Sequence, residues 1–374
     1  MKINNNTSAF IDLSRWVAAM LVLIMHLRGV YFVDYSEIES KSFFTNVFYF
    51  ITGFGSQSVV IFFVISGYLV GGKSYEQIKF KTFSPKNYFI SRFSRIYIVL
   101  VPALVLGGAL DWFGMNYFNQ NRIYSHVFGN GNLMQASDSR LNLSVFLINF
   151  ASLQTIAGPV LGSNRALWSL ANEWWYYILF PVIASVFFYD HKKYSVAISI
   201  IILVLLPFKI SLYFLIWLMG CSASIVKLKI NSFILWFILI IALLLSRTVL
   251  LHESMFFLIA LLYSLILASM NEIKSDEKSL HTRGKNGMLP PIAGFIFLFN
   301  KKLADFSFSL YAIHFPVIFF MFALFNVSYQ CQPHLISYLT FIIFIIFIYI
   351  ISYLFFLTFE NKTQKIKVLI PKYN

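Results

Sequence analysis

Charged residues are scarce in this sequence. Only 12% of its 374 residues are charged and 59% are hydrophobic, and apolar stretches of 18 or more residues recur along the chain. An ordinary soluble protein is excluded, because about a quarter of the residues of such a protein are charged. The apolar stretches leave no room for a second, soluble domain, so we expect a single membrane domain over residues 1–374.

Cysteine is nearly absent. The chain has two cysteines, Cys221 in an apolar stretch and Cys331 in a short loop, and it has no CxxC or CxxH spacing. We therefore predict neither a structural disulfide nor a metal site. A cleavable signal peptide is also not expected, because the first apolar stretch is long, contains Arg15 and His26, and lacks a small-residue cleavage site.

The apolar stretches predict an all-α, polytopic membrane helix bundle with about ten transmembrane helices. A helix needs about 20 mostly apolar residues to cross a bilayer. The apolar segments 144–156 and 291–299 are shorter, so we predict a re-entrant or interfacial helix in the outer loop for the first and a position at the cytoplasmic face for the second. The polar stretch 271–290 predicts a mobile loop. The predicted spans are residues 10–33, 46–71, 92–112, 168–189, 194–208, 210–226, 231–247, 253–270, 303–326 and 335–359.

The basic residues predict the orientation of this bundle. If the N-terminus is cytoplasmic, 21 of the 29 lysines and arginines fall in cytoplasmic segments and six fall in outer loops. This bias follows the positive-inside rule, and it predicts that both termini are cytoplasmic. It also accounts for the net charge of +14 without a nucleic-acid partner, because the basic residues lie in loops and not along one helix face.

Polar residues line one face of the first predicted helix. Asp12, Arg15 and His26 recur at helical spacing. The rise from Asp12 to His26 is about 21 Å at about 1.5 Å per residue, so the stripe runs from the cytoplasmic surface through most of the hydrocarbon core. Two interpretations are open: a slot that leads to an active site, or a packing histidine that bonds a neighbouring helix while Arg15 marks the cytoplasmic end.

A carboxylate lies inside the fourth predicted helix. Glu173 is costly in a bilayer, so we expect a partner or a water-lined cavity beside it. Trp168 and Asn172 lie four residues apart on the adjoining helix face. The alternative is an aromatic belt at the membrane interface with Glu173 protonated at its rim.

Two further groups of polar residues mark the ninth span and the cytoplasmic end of the third. Tyr311 and His314 lie within one turn in the ninth span, where they either take part in chemistry or bond across helices for packing. Arg92 and Arg95 lie within one turn at the start of the third. The fork of donors on arginine suits phosphate oxygens, although positive-inside anchoring also accounts for the pair.

Taken together, these stretches resemble membrane acyltransferase family 3, a family of polysaccharide O-acyltransferases. Five ordered motifs carry the resemblance, which covers nearly the whole chain. One departure is that the glycine usual after the aspartate is missing in Asp12-Leu13-Ser14-Arg15, and Trp16 stands where another glycine often lies. The motifs are FIDLSRWVAAMLVLIMH, VVIFFVISGYLV, SRFSRIY, WSLANEWWYYILFP and FSFSLYAIHFP.

The resemblance implies catalytic roles for His26 and Glu173 and acyl-CoA binding by Arg92 and Arg95. Many relatives carry an extracellular hydrolase-like domain, which we do not expect here. Further residues are expected to support the reaction, with Tyr311 and His314 as candidates for polarising the thioester carbonyl. These supporting residues are Asp12, Arg15, Trp168, Asn172, Tyr311 and His314.

The expected reaction moves an acyl group, acetyl above all, from cytoplasmic acyl-CoA to a cell-surface glycan or lipid-linked saccharide at a bacterial inner membrane. Acyl-CoA is then a co-substrate, and no bound cofactor is expected. His26 would act as a general base or accept the acyl group itself, with Glu173 orienting its imidazole. The competing function is a proton-coupled transporter with His26, Glu173 and His314 as its relay.

Overall fold

The structure is a computed structural model that describes residues 3–126, 137–190, 192–247, 252–271 and 291–363. Within these ranges the chain forms helices and turns, and its β-structure is limited to isolated bridges. The all-α prediction is therefore confirmed for the described residues. The predicted mobile loop at 271–290 lies outside them, apart from its first residue. In chain order the α-helices are α1 (Asn5–Tyr31), α2 (Phe43–Ile51), α3 (Gly55–Ser66), α4 (Gly72–Lys79), α5 (Pro85–Phe113), α6 (Leu143–Phe150), α7 (Leu167–Phe188), α8 (Lys192–Leu205), α9 (Phe208–Ile225), α10 (Ser232–Leu245), α11 (His252–Met270), α12 (Pro291–Asp305), α13 (Ser307–Leu324) and α14 (Leu335–Thr358).

Helices occur at all ten positions where the sequence predicts a span, and six helical segments among the described residues are long and apolar enough to cross a membrane. Of the other four, α8 and α10 have 14 residues each, and α7 has 22 residues that include Glu173 and Asn172. The count of ten crossings and the cytoplasmic termini stay predictions. The six segments are Asn5–Tyr31, Phe43–Lys79, Pro85–Asn121, Phe208–Ile225, Ser307–Leu324 and Leu335–Lys362.

The short apolar segments behave as their length predicts. Segment 144–156 contains α6, a helix of eight residues that begins at an Asn142 cap. Eight residues extend about 12 Å, too little to cross a hydrocarbon core of about 30 Å. Segment 291–299 lies within α12, a helix of 15 residues. Neither segment is among the described helices that are long and apolar enough to cross a membrane.

The chain folds into two compact units, each assembled from three stretches of sequence. Unit 1 comprises Met1–Ala18, Ser56–Phe83 and Trp175–Ser307. Inside it, α9 approaches α3 and the π-helical turn after it at backbone distance. A Cβ on Gly67 would lie 1.8 Å from the Trp217 carbonyl oxygen, and one on Gly220 would lie 2.0 Å from the Val64 carbonyl oxygen. Glycine is therefore required at both positions for this close helix packing.

Unit 2 comprises Ala19–Gly55, Ser84–Trp174 and Phe308–Asn374. It contains the second half of α1, the whole of α5, the first turns of α7, and α14 with all of α13 after Ser307. Its core is largely aromatic: the Phe322 ring lies 5.6 Å from the Tyr31 ring and 5.2 Å from the Phe344 ring. On α14 large apolar side chains point outward, with Leu335 and Ile336 more than three-quarters exposed. Lipid is the solvent that suits such a surface.

Candidate functional site

The centre of unit 2 is a pair of histidines from α1 and α13. His26 Nδ1 lies 2.8 Å from His314 Nε2, a hydrogen-bond distance. The two rings are nearly parallel, at 5°, with centroids 5.1 Å apart. The Phe315 ring lies 4.3 Å from the His26 ring. His314 is buried, whereas His26 keeps partial exposure. The structure therefore brings together two residues that are 288 positions apart.

The hydrogen bonds around His314 fix which nitrogens of the pair carry protons. His314 Nδ1 lies 3.1 Å from the Leu310 carbonyl oxygen and 2.9 Å from the Tyr311 carbonyl oxygen. Since carbonyl oxygens only accept, Nδ1 of the neutral His314 is the donor and its Nε2 is the acceptor. His26 Nδ1 must then donate to His314 Nε2, which leaves the lone pair of His26 on Nε2. This arrangement is that of an oriented general base.

The same bonds change the role that the sequence suggests for His314. Both of its ring nitrogens are engaged, Nδ1 with backbone carbonyls and Nε2 with His26. Polarising a thioester carbonyl, as predicted, would require one of these bonds to break. His314 is thus a hydrogen-bond partner that can orient the His26 ring, and the orienting role expected of Glu173 stays a prediction. His314 therefore lies where it can position the His26 ring.

The segment 164–169, which leads into the first turn of α7, lies against α13. Pro316 lacks the backbone N–H that would bond the Ala312 carbonyl in a helix. That carbonyl instead accepts from Asn164 Nδ2 at 2.8 Å. Three residues before His314, the Tyr311 hydroxyl lies 2.6 Å from Ser169 Oγ. Arg165 lies between Asn164 and Ser169 in the sequence, and its charge acts electrostatically on His26.

A buried carboxylate holds this segment in place. Asp111 near the end of α5 accepts from Ser163, with the backbone N and Oγ of Ser163 each 2.7 Å from a carboxylate oxygen. Gly162 has a φ of +51°, and a Cβ there would lie 2.1 Å from Asp111 Oδ2. Only glycine permits this backbone conformation at this approach. Asp111 and Gly162 therefore determine where Asn164 and Arg165 lie.

Two arginines make this region electropositive. Burial lowers the pKa of Arg165. Burial, and next the charge of Arg165, lower the pKa of Arg140 to about 10, while the carboxylates of Asp111 and Asp138 act in the opposite direction. A group with a pKa of about 10 remains protonated at neutral pH. Arg140 is thus a buried cation near the carboxylate of Asp111, and Arg165 is a second cation, whose charge acts on His26.

The residues predicted on α7 lie at its first turns. Asn172 is buried, and its Oδ1 has no hydrogen-bond partner among the described residues. Glu173 is half-buried and close enough to Tyr311 to act on its hydroxyl electrostatically. Trp168 is half-buried on the same segment. The first turns of α7 thus place a buried acceptor and a carboxylate in the unit that holds the histidine pair.

The two arginines predicted to bind acyl-CoA differ in their surroundings. Arg92 Nη2 donates to the neighbouring Ser91 Oγ at 2.9 Å. Arg95 Nη1 lies 3.0 Å from Glu360 Oε1, and the Glu360 side chain is only 2% exposed. Glu360 Oε2 also accepts from Ser309, from its backbone N at 3.1 Å and from its Oγ at 2.6 Å. Arg95 therefore pairs with a carboxylate that caps the first turn of α13.

Asp12 and Arg15 belong to unit 1. Their closest side-chain atoms are 3.9 Å apart, and both side chains are about one-fifth exposed. In the same unit Trp16 donates its indole N–H to Asn300 Oδ1 at 2.6 Å. The supporting roles of Asp12 and Arg15 in the reaction stay predictions.

Reasoning from the sequence misses several residues of this region. Asn164 and Arg165 follow a glycine in a polar loop, where Arg165 reads as one more basic residue of an outer loop. Glu360 is a carboxylate at the end of an apolar helix, and Asp111 lies at the end of another. The only signal for these two is a lone acidic residue at the edge of an apolar stretch. Among the described residues no cluster of three metal-binding side chains occurs.

Comparison with known proteins identifies the family of this chain. A family model described as “Acyltransferase domain”, of the acyltransferase 3 family, matches residues 8–357. An “O-acetyl transferase” of Shigella phage Sf6 is 29% identical over 204 residues, which are 52% of this chain and 49% of the phage protein. A Haemophilus influenzae protein described as uncharacterized is 33% identical over 154 residues, 41% of this chain and 57% of that protein. The chain thus spans about half the length of these relatives. No solved structure matches.

Proposed function

The chain belongs to the acyltransferase 3 family, and from this premise we propose that it is an integral membrane O-acyltransferase. It transfers an acyl group, acetyl in the simplest case, from cytoplasmic acyl-CoA to a hydroxyl of a cell-surface glycan or lipid-linked saccharide. The similarity to a phage O-acetyl transferase supports the acetyl group. The apolar helices support a multi-pass membrane protein, which we place in a bacterial inner membrane.

The observation that carries this proposal is the oriented histidine pair. His26 has an unprotonated Nε2, because His314 holds its Nδ1–H. A base with its tautomer fixed can take the proton of a sugar hydroxyl as that oxygen attacks the thioester carbonyl. The resulting tetrahedral intermediate then breaks its C–S bond. The proton on His26 passes to the CoA thiolate, and the sugar leaves as its ester.

The charge that develops in this reaction needs a stabilising partner. The thioester oxygen becomes an oxyanion in the tetrahedral intermediate, and a fixed cation is a strong stabiliser of such a charge. Arg165 lies in the segment held to α13 by Asn164, and its charge acts on His26. We assign Arg165 the role of stabilising this oxyanion. Glu173 and Asn172 then serve to hold the acceptor or to stabilise the protonated His26.

The donor would enter from the basic end of α5. Of the two arginines we assign Arg92 to the CoA phosphates, because Arg95 already pairs with the buried Glu360 carboxylate. Arg95 has a structural role in this proposal. It helps to hold α13 in position, because it pairs with Glu360, which accepts from Ser309 at the start of α13. The long pantetheine arm would carry the thioester from this end toward His26.

The test uses membranes that contain the full chain, acetyl-CoA, and the surface polysaccharide of the producing cells freed of its esters by mild alkali. Mass spectrometry measures the new acetyl esters, and a thiol reagent measures CoA release. The wild type should form esters, whereas His26→Gln should reduce the rate at least about a hundredfold, the usual contribution of a general base. Full activity of His26→Gln would remove this histidine from the reaction.

The histidine pair also suits the competing function, a proton-coupled transporter. A hydrogen bond of 2.8 Å between two imidazoles is a geometry for passing a proton. A transporter would accumulate a solute only while a proton gradient is present, and it would release no CoA from acetyl-CoA. Solute accumulation without CoA release or ester formation would favour this alternative over the acyltransferase.

A further inference from the structure

Directly after α5 the chain forms an open pocket of about 600 Å³. This volume falls within the usual range of small-molecule sites, about 300–1,000 Å³. The pocket is built from a π-helical turn, Gly114–Phe118, and a 3-10 turn, Asn119–Asn121. Its lining is mostly amide, hydroxyl and guanidinium groups. The polar and aromatic residues that line it are Asn116, Tyr117, Asn119, Gln120, Arg122 and Ser125.

The backbone of this pocket is unusual and well anchored. Arg122 adopts the left-handed conformation, with φ of 56° and ψ of 28°, and π-helical turns and left-handed non-glycine residues concentrate at functional sites. Asn121 Nδ2 donates to two carbonyl oxygens at the end of α13, that of Phe322 at 2.8 Å and that of Val327 at 3.0 Å. The pocket is thus fixed to the helix that carries His314.

The position of the pocket along α5 separates it from the donor-binding end. Arg95 lies in the first half of α5, and the pocket begins at Met115, 20 residues later. Twenty helical residues rise about 30 Å, close to the thickness of the hydrocarbon core. The exposed rings of Trp112 and Tyr117 beside the pocket are typical of a membrane interface. The pocket therefore lies at the membrane face opposite Arg92 and Arg95.

We propose that this pocket binds a saccharide unit of the acceptor glycan, an inference that rests on the proposed function. Amide side chains offer both donors and acceptors, which match sugar hydroxyls. One acceptor, Asn119 Oδ1, is buried and has no hydrogen-bond partner within the described part of the chain. A buried polar atom of this kind calls for a ligand or a water. Exposed Tyr117 offers a ring against which a sugar can pack.

The distance to the histidine pair decides which unit of the glycan the pocket holds. Eight residues of α13 separate His314 from Phe322, where Asn121 is anchored, which is about 12 Å along the helix. This exceeds the width of one sugar ring. The pocket therefore holds a neighbouring unit of the chain while another unit presents its hydroxyl to His26. It sets the affinity for the glycan and leaves the chemical step to the histidine pair.

The test compares Gln120→Leu and Asn119→Leu in the full chain, with Lys41→Leu as a control in a different loop. The Gln120 side chain is exposed, so its replacement should not disturb folding. With the ester-free polysaccharide as acceptor, each variant should raise the KM for polysaccharide roughly tenfold, the size of one or two lost hydrogen bonds. The kcat and the KM for acetyl-CoA should be unchanged, and Lys41→Leu should match the wild type.

Two outcomes would overturn the proposal. The first is a wild-type KM for polysaccharide in both variants, and the second is a higher KM for acetyl-CoA instead. If the wild type forms no ester, the proposed function fails, and binding of the same polysaccharide to purified protein then tests the pocket alone. Quenching of tryptophan fluorescence, with Trp112 next to the pocket, reports this binding. Weaker binding by Gln120→Leu supports the pocket, and equal binding by both proteins refutes it.

Discussion

The role of His314 as a positioning residue can be tested without touching His26. In His314→Phe an aromatic ring remains at this position, but the acceptor 2.8 Å from His26 Nδ1 is lost. In His314→Gln the side-chain amide can place an acceptor where Nε2 stood. The two variants therefore separate the hydrogen bond from the packing of the ring, since Phe keeps the ring and Gln keeps the acceptor.

The expected size of the effect follows from the hydrogen bond. A buried donor left without an acceptor costs about 1–3 kcal/mol, and His26 is then also free to adopt the other tautomer. Because about 1.4 kcal/mol corresponds to a tenfold rate change, His314→Phe should lower kcat by about tenfold to a hundredfold. His314→Gln should recover most of this loss. The KM for acetyl-CoA should stay the same in both, because the donor phosphates bind elsewhere.

The assay is CoA release and ester formation under saturating acetyl-CoA, with the amount of folded enzyme measured by gel filtration in detergent. The reasoning would be refuted by a folded His314→Phe enzyme with wild-type kcat. It would also be refuted if Phe and Gln lowered kcat equally, because the hydrogen bond would then not be the cause. A purely structural role of His314 would reduce the folded amount and leave the kcat of the folded fraction unchanged.

Two further predictions follow from the surrounding contacts. Arg95→Ala should lower the free energy of unfolding by about 1–3 kcal/mol, since the buried Glu360 carboxylate loses its counter-charge and keeps only the hydrogen bonds from Ser309. Its counterpart Arg92→Ala should keep the stability and raise the KM for acetyl-CoA. If the two variants changed the stability and this KM equally, the separate roles proposed for Arg92 and Arg95 would be contradicted. Gly162→Ala should destabilise the protein by at least about 1 kcal/mol, because φ is +51° and the new Cβ would meet a buried carboxylate. Gly108→Ala, whose Cβ would have no neighbour closer than 3.7 Å, is the matched control, and equal melting temperatures of the two variants in detergent would contradict the requirement for glycine in this loop.

The helices were predictable because their signal is local. An apolar stretch of sufficient length must form its backbone hydrogen bonds within itself in lipid, so length and composition alone locate it. This holds for α1, α5 and α14, and also for the short α6, whose eight residues exclude a crossing. The polar residues His26 and His314 stand out for the same reason, since each is costly in an apolar helix.

The partners of those residues could not be predicted in this way. The sequence names Glu173 as a partner for His26 by charge, and it gives no sign of the hydrogen bond from His26 to His314 that the structure shows. Arg95 resembles a phosphate-binding residue, yet it pairs with Glu360, which is far away in the chain. The position of Arg165 depends on a buried carboxylate of α5 and on the carbonyl that a proline of α13 leaves unbonded. These contacts depend on how separate helices pack, and no local pattern encodes them.

The sequence by itself determined that this is a helical membrane protein of the acyltransferase 3 family and that it carries histidines inside apolar helices. These properties depend on composition, helix period and short motifs, each of which lies within one segment. The tertiary structure alone decided that the two histidines form one hydrogen-bonded pair and that backbone carbonyls set their tautomers. Packing brings α1 and α13 together, and only their contact determines which nitrogen of His26 can act as a base.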